Sequence, residues 1–124
     1  MESELVFDEG IIGVPRARRF QLLEQDASPI RVLRCLDIEG FALPVVDPWL
    51  ADPEYRPQLD RHLRSLGCDP GHDVLVLAVA LVENGGAYAN LRAPIVLDID
   101  RRVGTQVILD DMSLSLRAPV NMND

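Results

Sequence analysis

Two cysteines and two histidines are the residues with which this chain could hold a soft metal ion, and their spacing argues against it. His62-x5-Cys68 and Cys68-x3-His72 bring three ligands close in sequence, but the Cys-x2-Cys or His-x3-His knuckle of a structural zinc site is absent. His62 is therefore read as a helix-surface residue, His72 as a loop residue, and Cys35 and Cys68 as reduced, partly buried thiols. Neither a metal nor a cofactor is expected. Nucleophilic chemistry has no better footing, since Ser3, Ser28, Ser65, Ser113 and Ser115 sit in no Gly-x-Ser-x-Gly elbow and the sequence places no base beside either cysteine. Paired carboxylates at Asp98 with Asp100, and at Asp110 with Asp111, could do acid–base work or hold a hard cation. Both pairs fall at strand ends beside turns, where Asp is common because it bonds the neighbouring backbone, so they are read as solvated turn residues. Gly10-x2-Gly13 lacks the third glycine, the following helix and the lysine of a phosphate-cradling loop, and is read as a turn. No catalytic constellation assembles, and an enzyme is not expected.

The elements that must position these groups belong to one small fold. At 124 residues and 48% hydrophobic content the chain has the size and apolar fraction of a single self-folding domain. The charge is -8, and all 12 cationic side chains are arginine. Such a balance disfavours binding to a phosphate backbone, whose affinity comes from a positive surface that releases counterions. The longest apolar run, 74–82, is far shorter than the ~20 residues of a membrane span. Glu2 and Glu4 stand where an export signal would be basic, which points to the cytoplasm.

Alternation and turn residues lay out the strands. Apolar residues 5–7 precede the turn at 9–15, and Phe20 opens a strand that ends at Glu24. A strand over 30–36 follows. The apolar run 41–46 carries Pro44, which cannot donate to a ladder and so is placed at an edge or bulge. Pro48, Pro53 and Pro57 punctuate residues 47–57, where Trp49 and Tyr55 give an ordered connection something to pack. Leu59, Leu63 and Leu66 have helical spacing, so 58–66 is predicted as the one short helix, ended by Gly67. The β-branched run 74–82 reads as a central strand buried on both faces. Asn84-Gly85-Gly86 turns the chain back, and a second hairpin pairs 95–99 with 105–109 about a turn at 100–104. Seven or eight short strands and one helix predict an all-β, antiparallel barrel or sandwich, with residues 118–124 a flexible tail.

Several short signatures then follow in a telling order: Glu9-Gly10-Ile11-Ile12-Gly13; Asp47-Pro48 after an apolar strand; Asn90-Leu91-Arg92-Ala93-Pro94-Ile95-Val96; and Gly104-Thr105-Gln106-Val107-Ile108-Leu109. Over nearly its whole length the chain resembles the FliW family of flagellar assembly factors. The third and fourth signatures, about ten residues apart, are its specific part. The resemblance implies a cytoplasmic, non-catalytic, β-barrel-like protein with two protein partners. One is newly made flagellin. The other is the RNA-binding translational regulator CsrA, which the family keeps from repressing flagellin synthesis. An acidic protein suits a basic, RNA-binding partner. The candidate contact residues are Asp47, Asp52 and Glu54 on the proline-rich connection, Asp98, Asp100, Asp110 and Asp111 at hairpin ends, and Asn90 and Arg92 ahead of the kink that Pro94 imposes. Two other readings stay open: a generic secretion chaperone, and a small carboxylate-dependent hydrolase using Asp47, His72 and Asp73.

Overall fold

Period-two alternation along one nine-residue strand sets the architecture. In the computed structural model, which describes residues 4–25, 27–68 and 73–122, the apolar run forms strand Leu75–Glu83. Leu75, Leu77 and Val79 point to one side and pack with Phe7, Phe20, Leu33 and Ile95, whereas Val76, Ala78 and Ala80 point to the other and pack with Tyr55, Leu91 and Val107. The strand therefore separates two apolar cores. Burial on both faces holds only as far as Ala80, because the strand runs on past both cores and leaves Leu81 49% and Val82 51% exposed.

The strands, in chain order, are β1 (Leu5–Val6), β2 (Arg19–Leu23), β3 (Arg31–Cys35), β4 (Ala42–Val46), β5 (Leu75–Glu83), β6 (Gly86–Ala89), β7 (Ile95–Asp98), β8 (Val103–Gln106) and β9 (Ala118–Pro119). They follow the order β4-β3-β2-β1-β8-β7-β5-β6-β9, and a further β4–β5 pairing bends the sheet into a barrel-like ring, with β6 and β9 carried outside it. The all-β class holds. One pairing departs from the antiparallel expectation: β1 meets β8 in parallel, through the single pair Val6↔Val103. Inside the ring, Phe20 is fully buried between Phe7 and Phe41, at centroid distances of 5.1 and 6.5 Å.

Pro44 is neither on a free edge nor at a bulge, since it pairs with Val32 in the middle of β4. Cys35 N–H donates to Phe41 O at 2.9 Å. By alternation Pro44 is then a non-hydrogen-bonded pair toward β3, and its missing N–H faces the side where β5 pairing starts one residue later. The second hairpin is tighter than its sequence suggests, with the turn at 99–102 and β8 ending at Gln106. Helix α1 (Asp60–Leu66) begins two residues later than expected and ends at Gly67, φ 85°. Residues 118–122 are not a loose tail: β9 pairs with β6, Ala118 and Val120 are buried, and Asn121 N–H donates to Leu50 O at 3.0 Å.

Two signature glycines have steric causes. Gly10 opens the turn at φ 70°, and a Cβ there would stand 2.3 Å from Pro15 O. At Gly104 a Cβ would fall 2.6 Å from Leu97 Cδ2 and 2.7 Å from Phe7 Cζ, so the missing side chain lets Phe7 fill the ring beneath β8.

Candidate partner-binding surface

The second core lies outside the ring, and the chain segments covering it carry most of the candidate residues. Residues 47–59 cross it as an ordered connection. Asp47 starts the segment by accepting Trp49 N–H on Oδ1 at 2.9 Å, heading a 3-10 turn over Pro48–Leu50. Asp52 repeats this with Glu54 N–H at 2.9 Å. The Trp49 ring stands edge-on to Tyr55, centroids 5.8 Å apart, and its Nε1 donates to Tyr55 O at 3.0 Å. Tyr55 in turn drives a buried hydroxyl into Leu91 O at 2.7 Å, and burial pushes its pKa up to about 12.

That contact leads to the third signature, a strut against which three segments are fixed. Asn90 Oδ1 accepts Arg92 N–H at 3.0 Å, which turns the chain. Arg92 then donates through Nε to Leu114 O at 2.6 Å and through Nη2 to Met112 O at 3.0 Å. Leu91 N–H donates to Ser115 O and Leu109 N–H to Arg92 O, at 2.9 and 2.8 Å. The side chains proposed as contacts at 90 and 92 are thus engaged in shaping the loop 110–117. Arg92 caps carbonyls and lies near Asp111 as well.

The hairpin-end acids separate into two environments. Asp100 and Asp110 are exposed. Asp111, also exposed, takes Ser113 N–H and Oγ–H on Oδ1, at 2.9 and 2.6 Å, and these bonds hold its pKa below the usual carboxylate range. Asp98 does not belong on the surface: it is 0% exposed. It receives Cys68 Sγ–H at 3.3 Å on Oδ2 and Arg101 N–H at 3.1 Å on Oδ1, and thereby ties the end of α1 to the β7–β8 turn. A carboxylate so enclosed has no face to offer a partner. Burial, with Asp98 beside it, pushes the Cys68 thiol up and away from reactivity. Cys35 and Cys68 are both buried and unbridged.

Asp47, Asp52, Glu54, Asp100 and Asp110 make no ion pair among the described residues. Asp110 and Asp111 border a cleft of about 200 Å3 against Arg56, Arg61 and His62. Asp73 is exposed and His72 lies outside the described residues. Among the described residues, no three His, Cys, Asp or Glu side chains converge as a metal site would require. Sequence reasoning also passed over Ile12, Ile108, Met112 and Leu116, all exposed apolar side chains, because an isolated apolar residue beside a turn looks like core.

Fold and surface together define a small barrel-like β protein that holds acidic and apolar side chains outward on rigid, hydrogen-bonded loops. A profile of the family described as FliW protein matches residues 1–120, and the chain belongs to that family. The flagellar assembly factor FliW of Thermosipho africanus is 33% identical over 88% of this chain and 79% of its own length. The protein of the same description from Syntrophus aciditrophicus is 32% identical, over 98% of this chain and 80% of its own. A solved crystal structure of the flagellar assembly factor FliW superposes with a TM-score of 0.85 at 27% identity, covering 94% of this chain and 84% of that one.

Proposed function

We propose that this protein is a flagellar assembly factor that works in the cytoplasm by binding proteins: it binds flagellin, and it binds the RNA-binding translational regulator CsrA and stops it from repressing flagellin synthesis. One observation carries the proposal beyond family membership. Exposed carboxylates at 47, 54, 100 and 110 and the half-buried Asp52, on a chain of charge -8, form no ion pairs among the described residues that would absorb their field. That field attracts a protein whose own surface is basic enough to bind RNA, and it repels RNA itself.

The reading implies a switch. Flagellin accumulating before export occupies this protein and leaves the regulator free to repress; export of flagellin releases it to relieve repression. No step requires a cofactor. Mixing purified regulator with this protein and adding flagellin in increments tests it. The expected result is a regulator complex at the start and its loss as flagellin is added. Binding of flagellin without binding of the regulator would favour a secretion chaperone, and binding of neither would overturn the proposal. The exposed pair Asp47 and Asp73 provides no buried general acid, so the hydrolase reading has no support in the geometry.

A further inference from the structure

Strand β8 is hydrogen-bonded along one edge and nearly bare along the other. Toward β7 it pairs at every residue, and the ladder continues past its end, with Val107 N–H donating to Pro94 O and Leu109 N–H to Arg92 O, both at 2.8 Å. Main-chain groups alternate between the two edges of an antiparallel strand, so the N–H and C=O of Gln106 and Ile108 point away from β7. On that side β1 contributes one pair at Val103, and the chain then swings off toward β2, Phe7 N–H donating to Arg18 O at 2.7 Å. The seam opens as a wedge. Two adjoining clefts of about 260 and 470 Å3 occupy it, with Glu9, His62 and Thr105 lining both.

Strand β8 itself carries none of the residue-level devices that protect sheet edges. Residues 104–108 contain no proline, no charge and no bulge, no strand pairs with the outward groups of Gln106 and Ile108, and helix α1 flanks the seam through His62, Ser65 and Leu66 without adding to the sheet. The Gln106 side chain is already engaged, accepting Ile12 N–H at 3.0 Å and donating to Ala93 O at 3.1 Å, which leaves its main chain free. Ile12 and Ile108 stand 47% and 63% exposed at the rim.

We propose that the bare edge of β8 is a docking site for an extended segment of a partner protein, which adds to the sheet as a further strand and carries a basic residue at the end nearest Glu9. The proposal rests on the reading of this protein as a partner-binding factor. The occupant follows from the chemistry of the wedge. Unpaired donors and acceptors on alternate residues, repeating every ~7 Å, are matched by another extended main chain. The two isoleucines select apolar side chains along its middle. The charge is set by Glu9, which is exposed and makes no ion pair among the described residues, while its neighbour Asp8 reaches Arg18 at 3.8 Å. Arg101, across the cleft, is turned to Leu66 O at 2.9 Å. A second copy of this chain fits poorly, because it brings another charge of -8 and another Glu9.

The test follows the backbone amides of the full chain by NMR while a blocked peptide, Arg-Thr-Val-Thr-Val-Thr, is added to millimolar concentration. The Gln106 and Ile108 amides are expected to shift and to gain exchange protection. A peptide with Glu in place of Arg should bind about tenfold more weakly, a difference of ~1.4 kcal/mol. Ile108→Pro removes the outward N–H but keeps the bonds at Val107 and Leu109, and should lower affinity about tenfold or more, whereas Ile108→Thr keeps the donor and should stay within about threefold. Glu9→Gln, which leaves the strand untouched, should abolish the preference for the Arg peptide even if Ile108→Pro fails to fold. Absence of shifts at these amides overturns the proposal, as does unchanged binding by a folded Ile108→Pro. Protection that grows with the chain's own concentration would assign the edge to self-association and overturn it too. The same amides are then followed in complexes with flagellin and with the regulator. If neither protein binds, the functional reading fails; if one binds with Gln106 and Ile108 left unprotected, only the edge proposal fails.

Discussion

The interior of the ring and the layer wrapped outside it are both apolar, yet they are held by different means. Inside, Phe7, Phe20, Leu33, Val45, Leu77, Ile95 and Leu97 are fully buried, and the backbone around them is satisfied by strand ladders. Outside, the core under Tyr55 and Leu91 is closed by irregular segments, and side chains complete their hydrogen bonding: Trp49 and Tyr55 from the connection, Arg92 into the loop after β8. Interior stability is thus a matter of volume. In the outer layer it depends on a few long-range polar contacts, and that layer carries five of the acidic candidate residues, Asp47, Asp52, Glu54, Asp110 and Asp111.

The sharpest way to break the comparison is to remove volume from the ring. Phe20→Ala deletes a fully buried ring that touches two others, and should cost about 3–5 kcal/mol in chemical denaturation. Adding volume at the same place should also hurt. Gly104→Ala forces a methyl against Phe7 and Leu97 and should cost about 1–3 kcal/mol.

In the outer layer the corresponding change is a single oxygen. Tyr55→Phe keeps the packing but leaves Leu91 O without its donor, at an expected cost of about 1–3 kcal/mol. A pH series sharpens this. The folded state raises the Tyr55 pKa to about 12 from an ordinary 10, so it binds the phenolic proton more tightly than the unfolded chain does. This contribution is complete below pH 10 and is lost as pH rises toward 12. Tyr55→Phe should remove that part of the alkaline decline.

How much of this was legible in the sequence differs between the same two regions. Strands of the ring show themselves as alternating apolar residues because one face meets a core, and α1 shows its leucine spacing and terminal glycine. β9 has no such signal: two residues, one of them proline, pair with β6 only because Tyr88 and Ala89 lie beside them in space. Asp98 looked like a turn acid for the same reason that Asp100 is one, namely its place at a strand end. What separates them is Cys68, a partner 30 residues earlier in the chain. Exposure of Asp47 and Glu54 was legible, since proline-rich connections run on surfaces, whereas Asp52 is half-buried. The bare edge of β8 was not, because it results from β1 diverging after one pair.

Arg92 offers a milder perturbation of the outer layer. Its guanidinium donates to two carbonyls at once, Leu114 O and Met112 O, which a lysine ammonium on a flexible stem cannot reproduce. Arg92→Lys should lower stability by only about 1 kcal/mol, yet hydrogen exchange should quicken across residues 111–115 while the amides of β2 and β3 keep their protection. If all regions quicken equally, the strut is part of the global core and the two-layer distinction fails.

The smallest effect on the fold, and the most direct on function, comes from charge. Reversing Asp47, Asp52 and Glu54 together, or Asp110 and Asp111 together, touches no buried contact but gives up the exposed capping bonds of Asp47, Asp52 and Asp111, so each change should cost no more than about 1 kcal/mol per residue. Association with the basic regulator is another matter. Attraction between surface charges extends only about 8 Å at physiological ionic strength, so the association rate of the parent protein should fall as salt rises. Reversal of the cluster that faces the regulator should lower the low-salt rate and flatten the salt slope; reversal of the other should do neither. Flagellin provides the control. Under the proposed function its docking is governed by burial of apolar area rather than by charge, so flagellin association is expected to respond weakly to salt and to both reversals. If the regulator's rate and salt slope survive both reversals, electrostatic docking is excluded, and the exposed isoleucines beside β8 become the first place to look for its binding surface.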